Sequence, residues 1–196
     1  MNDLAKEFGR KAFHMLSLVY LAAYMILGYP RVVAWMIPWT VFVLVMETAR
    51  LYSKGLNDFL FGLLGALARS EERTRYSGIV HTTLGSFLLF LAFGKQPPLV
   101  SAGLLSLALG DAAAALVGKS IGRHRILGSK KSLEGSLACF LTCAAAGAWS
   151  GFPAGCAVVG AAVGTVIEFM PTTALFNDNL WMPIGVALAL RLCAGL

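Results

Sequence analysis

The sequence predicts an all-α protein: a polytopic integral membrane bundle of about seven transmembrane helices, with the N-terminus inside and the C-terminus outside. Three observations carry the prediction. Of the 196 residues, 58% are hydrophobic and only 13% charged, well above the apolar share of an ordinary soluble domain. Apolar runs approaching the ~20 residues needed to cross a ~30 Å hydrocarbon core recur along the whole chain. Finally, the basic residues alternate sharply between successive connectors, the signature of a fixed topology.

Taken in order, the candidate spans are Ala12–Leu27, Val32–Met46, Ile79–Phe93, Pro98–Val117, Ser136–Trp149, Ala154–Phe169 and Leu180–Leu192. Between the second and third, Asn57–Leu67 is Leu/Phe-rich and suits an interfacial helix or an extension of a neighbouring span. With the N-terminus inside, thirteen of the 16 Lys and Arg residues are cytoplasmic; only Arg31, Lys95 and Arg191 lie outside. The net charge of +6 therefore reports topology and not nucleic-acid binding. No connector is long enough to fold separately, so residues 1–196 are expected to form one membrane domain. The charged N-terminus leads into an apolar run without a small-residue cleavage site, and that run is expected to be a first span and not a signal peptide. Gly147-x-x-x-Gly151-x-x-x-Gly155 and Gly160-x-x-x-Gly164 suit close helix packing. Cys139, Cys143, Cys156 and Cys193 all fall in apolar runs and are expected to be small packing residues without disulfides. The oligomeric state is left open, a homodimer among the arrangements allowed.

Acidic residues are few, so each position carries weight. Asp111 sits within the fourth span, about 9 Å from its cytoplasmic end at 1.5 Å per residue. A carboxylate there must be paired, protonated, solvated or bound to a cation. The connector Gly118–Ser136 combines glycines, hydroxyls and the cations Lys119, Arg123, Arg125, Lys130 and Lys131. It reads either as a cytoplasmic basic loop or as a cradle for phosphate, where glycine lets backbone N–H groups approach and Lys/Arg offset charge. Gly118-Lys119-Ser120 is not a Walker A loop, since Ala113 stands where that pattern needs glycine and a membrane helix precedes it. Glu168 and Asp178 fall on the same side. Carboxylates together with nucleotide phosphates are the usual means of holding Mg²⁺, although Asn177–Asn179 would equally cap the last helix. Glu7, Arg10, Lys11 and His14 share one helical face, which spacing alone reads as a juxtamembrane anchor. Glu47 with Arg50, and His81, lie near inner span ends and read singly as structural.

Together, Arg10-Lys11-x-x-His14, Gly110-Asp111-x-x-Ala114-x-x-x-Gly118-x-x-x-Gly122, Lys131-Ser132-x-Glu134-Gly135-Ser136, and Glu168 followed by Asp178-Asn179-Leu-x-x-Pro183 resemble the CTP-dependent lipid kinases. That family includes dolichol kinase, phytol kinase and the CTP-using diacylglycerol kinase. The resemblance runs from about Glu7 to Gly185. It implies transfer of the γ-phosphate of CTP to a lipid alcohol, with Mg²⁺, at the cytoplasmic face of a bacterial-type inner membrane or an ER-like one. It implies catalytic roles for Asp111 and Lys131 and a metal set of Asp111, Glu168 and Asp178. The nucleotide would lie against Gly118, Lys119, Gly122, Arg123, Lys130, Lys131, Ser132, Glu134, Gly135 and Asn179. Arg10, Lys11, His14, Glu47, Arg50 and His81 would stand on the substrate side or in support. Expected partners are CTP, the lipid alcohol and membrane lipids. The competing readings are a CTP-dependent cytidylyltransferase acting on a phospholipid, whose C-terminal acidic signature is missing, and a small ion-coupled transporter, which leaves the Gly/Lys/Ser loop unexplained.

Overall fold

The computed structural model describes residues 3–64, 70–126, 131–171, 173 and 176–196. Every predicted apolar run is helical. α1 (Asp3–His14) passes through a 3₁₀ turn (Met15–Ser17) into α2 (Leu18–Leu27), so the first rod begins at Asp3 instead of Ala12. α3 (Arg31–Tyr52) outlasts its predicted end at Met46, and α4 (Lys54–Leu64) takes the place of the Asn57–Leu67 segment, of which 65–67 lie outside the described residues. α5 (Gly78–Phe93) comes next. Then α6 (Pro97–Leu105), a π-type turn (Ser106–Gly110) and α7 (Asp111–Ser120) run on as one rod. α8 (Leu133–Trp149), α9 (Ala154–Phe169) and α10 (Asp178–Ala194) complete the chain.

Hydrophobic burial sorts the helices into centre and periphery. The Pro97–Ser120 rod and α10 hold the centre: Leu99, Leu104, Leu107, Met182 and Leu190 are at most 1% exposed, with Phe90 of α5 beside them. Small residues let these axes close in. A Cβ on Gly103 would stand 2.6 Å from the Pro183 carbonyl, and one on Gly85 2.9 Å from that of Leu180. Gly160 and Gly164 seat Leu190 and Val186 of α10, and Gly147 seats Ala157. Gly151 and Gly155 differ from the packing expectation: open space surrounds both, and Gly151 forms the α8–α9 turn at φ +91°.

Among the described residues two helices, Arg31–Tyr52 and Pro97–Ser120, are long and apolar enough to cross a membrane; α5, α8 and α9 are apolar but shorter. The outward surface is apolar too. Trp35, Trp39, Phe42 and Val45 on α3, Leu137 and Leu141 on α8, Val158 on α9 and Leu192 on α10 are all exposed. A soluble bundle would bury such a stripe, whereas hydrocarbon accepts it.

One expectation is corrected. Cys156 and Cys193 form a disulfide, with their Cα atoms 5.4 Å apart. The two residues lie at the ends of α9 and α10, where those helices emerge together, and not in mid-span. Cys139 and Cys143 remain free and buried, packed against Gly110.

Candidate active site

The face of α1 carrying Glu7, Arg10, Lys11 and His14 docks on α7. This overturns the anchor reading drawn from spacing: helical periodicity puts the four side chains together, but they point into protein. The π-type turn at Ser106–Gly110 immediately precedes Asp111. Such a turn resets the helical register and is frequent at functional positions; here it leaves Asp111 facing α1. Lys11 Nζ lies 2.5 Å from Asp111 Oδ2, and His14 Nε2 lies 3.3 Å from the same oxygen. Glu7, whose side chain is fully buried, pairs with Arg10 and with Lys119 at the end of α7. Across the site Lys131 Nζ meets Glu168 Oε1 at 3.0 Å.

Glu7, Arg10, Lys11, Asp111, Lys119, Lys131 and Glu168 line one cavity of about 260 Å³, together with Gly118, Arg125, Ser132, Gly135, Ser136 and Asp178, while His14 touches Asp111 without lining the cavity. Its walls come from both ends of the chain and from α7, α8, α9 and α10. Cations and carboxylates interleave around it, as burial demands, since an uncompensated buried charge costs several kcal/mol. Asp178 is the exception: it is buried, lines the cavity, and no described cation pairs with it. No three His, Cys, Asp or Glu side chains among the described residues are close enough to hold a metal ion unaided. The expected set of Asp111, Glu168 and Asp178 therefore shares a cavity without forming a coordination cluster.

The basic connector folds back on itself. Arg125 bridges Ser132, with Leu133 N donating to the His124 carbonyl at 2.9 Å. Ser132 caps α8, its Oγ accepting from Gly135 N at 3.2 Å. The glycines serve packing more than ligand approach. A Cβ on Gly122 would collide with the Gly118 carbonyl and Ser132 Oγ, and one on Gly135 would stand 2.6 Å from the Ala114 carbonyl. Gly118 and Gly135 still border the cavity, while Gly122 supports it from behind.

Other expected residues lie elsewhere. Arg123 is exposed and does not line the cavity. Lys130 lies outside the described residues. Glu134 turns outward to His124, with Nδ1···Oε1 at 2.7 Å. That hydrogen bond holds the pKa of the Glu134 carboxyl down to about 2. Asn177 caps α10, its Oδ1 accepting from Asn179 N at 3.0 Å. The Asn179 amide points at Gly78 of α5, away from the cavity. Glu7 and Ser136 line the cavity although sequence reasoning assigned them no role, and so does Arg125, which it named only among the connector's cations. Ser136 was visible in its motif and Glu7 on its helical face; the bridge that delivers Arg125 leaves no sequence signal.

Glu47 and Arg50 form a separate structural clasp. Buried Arg50 donates to both Glu47 oxygens at 3.0 and 2.7 Å, to Asn57 Oδ1, and to the carbonyls of Glu72 and Arg75. Ser77 N closes the clasp on Glu47 Oε2 at 2.8 Å. His81 Nδ1 sits 3.1 Å from the Ser77 carbonyl. None of the three lines the cavity. Arg50→Ala strands Glu47 and two carbonyls, so it should destabilise the fold by about 3–5 kcal/mol. Thermal unfolding in detergent would show this as a lower Tm, with ligand affinity retained at temperatures where the variant is folded.

The chain has relatives among known proteins. It is 31% identical over 138 residues to a Saccharomyces cerevisiae protein named CTP-dependent diacylglycerol kinase 1, covering 68% of this chain and 47% of the relative. It is 43% identical over 58 residues to dolichol kinase of the same yeast, covering 28% of this chain and 11% of that protein. The chain thus spans about half the length of the first relative and about a tenth of the second. No family model and no solved structure matches the chain at a significant level.

Proposed function

The chain belongs to the CTP-dependent lipid kinase family, and from that premise we propose that it transfers the γ-phosphate of CTP to the hydroxyl of a membrane lipid alcohol. The acceptor class is diacylglycerol or an isoprenoid alcohol such as a polyprenol or phytol. The observation that carries the reading is the cavity itself: Arg10 and Lys11 of α1 and Lys119, Arg125 and Lys131 of the Gly118–Ser136 stretch converge on it from two distant parts of the chain. Polyanionic phosphates are what such a group of cations neutralises.

In this reading the acceptor oxygen forms a bond to the γ-phosphorus, and the bond from that phosphorus to the β–γ bridging oxygen breaks, leaving CDP. Lys131 and Lys119 offset the charge that spreads over the transferring group. Asp111, held by Lys11 and His14, accepts the hydroxyl proton. The donor set fits a divalent ion carried by the nucleotide: Asp178 would receive Mg²⁺, with Glu168 or Asp111 beside it and phosphate oxygens completing the shell. Bound there, Mg²⁺ would supply charge neutralisation to the phosphates. We read the seven apolar rods as membrane spans with the cavity on the cytoplasmic side, because the basic residues divide thirteen to three between the two ends.

The test is direct. Purified protein is incubated with CTP labelled at the γ- or the α-phosphate and a panel of diacylglycerol, dolichol and phytol. Label from the γ-position is expected in a lipid monophosphate, and chelation of Mg²⁺ should abolish it. Incorporation of α-label would make the protein a cytidylyltransferase instead, and no incorporation from either would overturn the reading.

A further inference from the structure

The end of the bundle remote from the cavity has a charge imbalance. All 10 Asp and Glu residues belong to segments toward the cavity end: α1, the inner end of α3, α4, the 70–73 turn, α7, the first turn of α8, the end of α9 and the start of α10. The far-end turns carry Arg31, Lys95 and Arg191 and no acidic residue. Lys95 and Arg191 line the same cavity, of about 300 Å³, beside Tyr29, Gln96, Leu91 and Ala92. The two cations come from the α5–α6 turn and the last turn of α10, so tertiary structure and not sequence proximity brings them together. Arg191 is held in place: its Nε donates to a main-chain oxygen of Leu196, the last residue of the sequence, at 2.8 Å, and its guanidinium lies over the Phe93 ring, 5.9 Å from the centroid. Among the described residues no acidic side chain pairs with either cation.

Among the described residues no acidic side chain lies between Lys95 and Arg191, so an anion that reaches both is attracted by each. The wall beside them is apolar and outward-facing, with Leu91 50% exposed. Cations and hydrogen-bonding groups at helix ends, above an outward apolar wall, match a phosphate with acyl chains beneath it. We infer that this far-end cavity binds the phosphate of an anionic phospholipid. Lys95 and Arg191 neutralise the phosphate, Gln96 and Tyr29 hydrogen-bond to the headgroup, and Leu91 and Ala92 meet the chains. The lipid would tie together the α2–α3 turn, the α5–α6 turn and the end of α10. This inference does not rest on the kinase reading, and its test does not use activity.

Delipidated protein in a neutral detergent is unfolded thermally with phosphatidylglycerol, phosphatidylcholine or inorganic phosphate added. At about a hundredfold excess over Kd, phosphatidylglycerol should raise Tm by roughly 5–10 °C; the other two should not. Lys95→Gln with Arg191→Gln should abolish the shift. Because Arg191 also touches Phe93 and Leu196, the single Lys95→Gln change on an exposed residue serves as second variant and should at least halve it. An equal shift with phosphatidylcholine, a shift kept by both variants, or no shift at all would overturn the site. A shift reproduced by inorganic phosphate would overturn the lipid assignment.

Discussion

Asp111→Asn is expected to lower phosphoryl transfer by roughly 10³-fold or more, within the range for losing a general base together with a fixed charge. The substitution keeps the side chain's shape and removes its charge at the point where Lys11, 2.5 Å away, and His14, 3.3 Å away, converge. It also leaves Lys11, only 4% exposed, without its partner. Part of any loss could then come from the fold. The double variant Asp111→Asn with Lys11→Met separates the two effects, since it removes the pair and leaves no stranded cation. It should recover Tm and remain inactive. Steady-state turnover with CTP, read beside thermal unfolding, makes the comparison; wild-type turnover in Asp111→Asn would reduce the residue to a structural ion pair.

Lys131→Ala should lower transfer by about 10²-fold, the usual cost of losing one fixed charge from a phosphate-stabilising group. Lys54→Ala, which removes an equal charge from the start of α4, should leave turnover unchanged. Lys131 stands 3.0 Å from Glu168 on the cavity wall, whereas Lys54 is exposed and away from the cavity. Net charge and general attraction for anions change equally in the two variants, so only position distinguishes them. Equal losses, or none in either, would make the basic connector a topological signal and displace the nucleotide from this cavity.

Much of the architecture was legible because hydrocarbon imposes strong rules on sequence. The apolar runs became α2, α3, α5, the Pro97–Ser120 rod, α8, α9 and α10, with end shifts largest where polar residues continue a helix, as at Asp3–Ala12 and Glu47–Tyr52. Part of the candidate site was legible through its acids, since Asp111, Glu168 and Asp178 line one cavity. Helical spacing could not show what faces α1: the same four-residue face suits headgroups or a partner helix, and only the packing on α7 decides. The connector glycines were ambiguous for a related reason. A glycine that lets phosphate approach and one that lets a helix approach look alike until Gly135 is seen against the Ala114 carbonyl. Arg123 and Arg125 are two residues apart, yet only Arg125 reaches the cavity, because its bridge to Ser132 sets the register.

The disulfide between Cys156 and Cys193 has a mechanical consequence. α9 and α10 run antiparallel, are joined at their far ends by that bond, and are joined again at the cavity end by the connector 170–177, which lies between Glu168 and Asp178. Bond, helices and connector therefore close a covalent ring, its two cysteines 37 positions apart in sequence. Glu168 and Asp178 flank the short link of that ring, so the two helices behave as one hairpin tethered at both ends, and the spacing of the two carboxylates is limited from both sides.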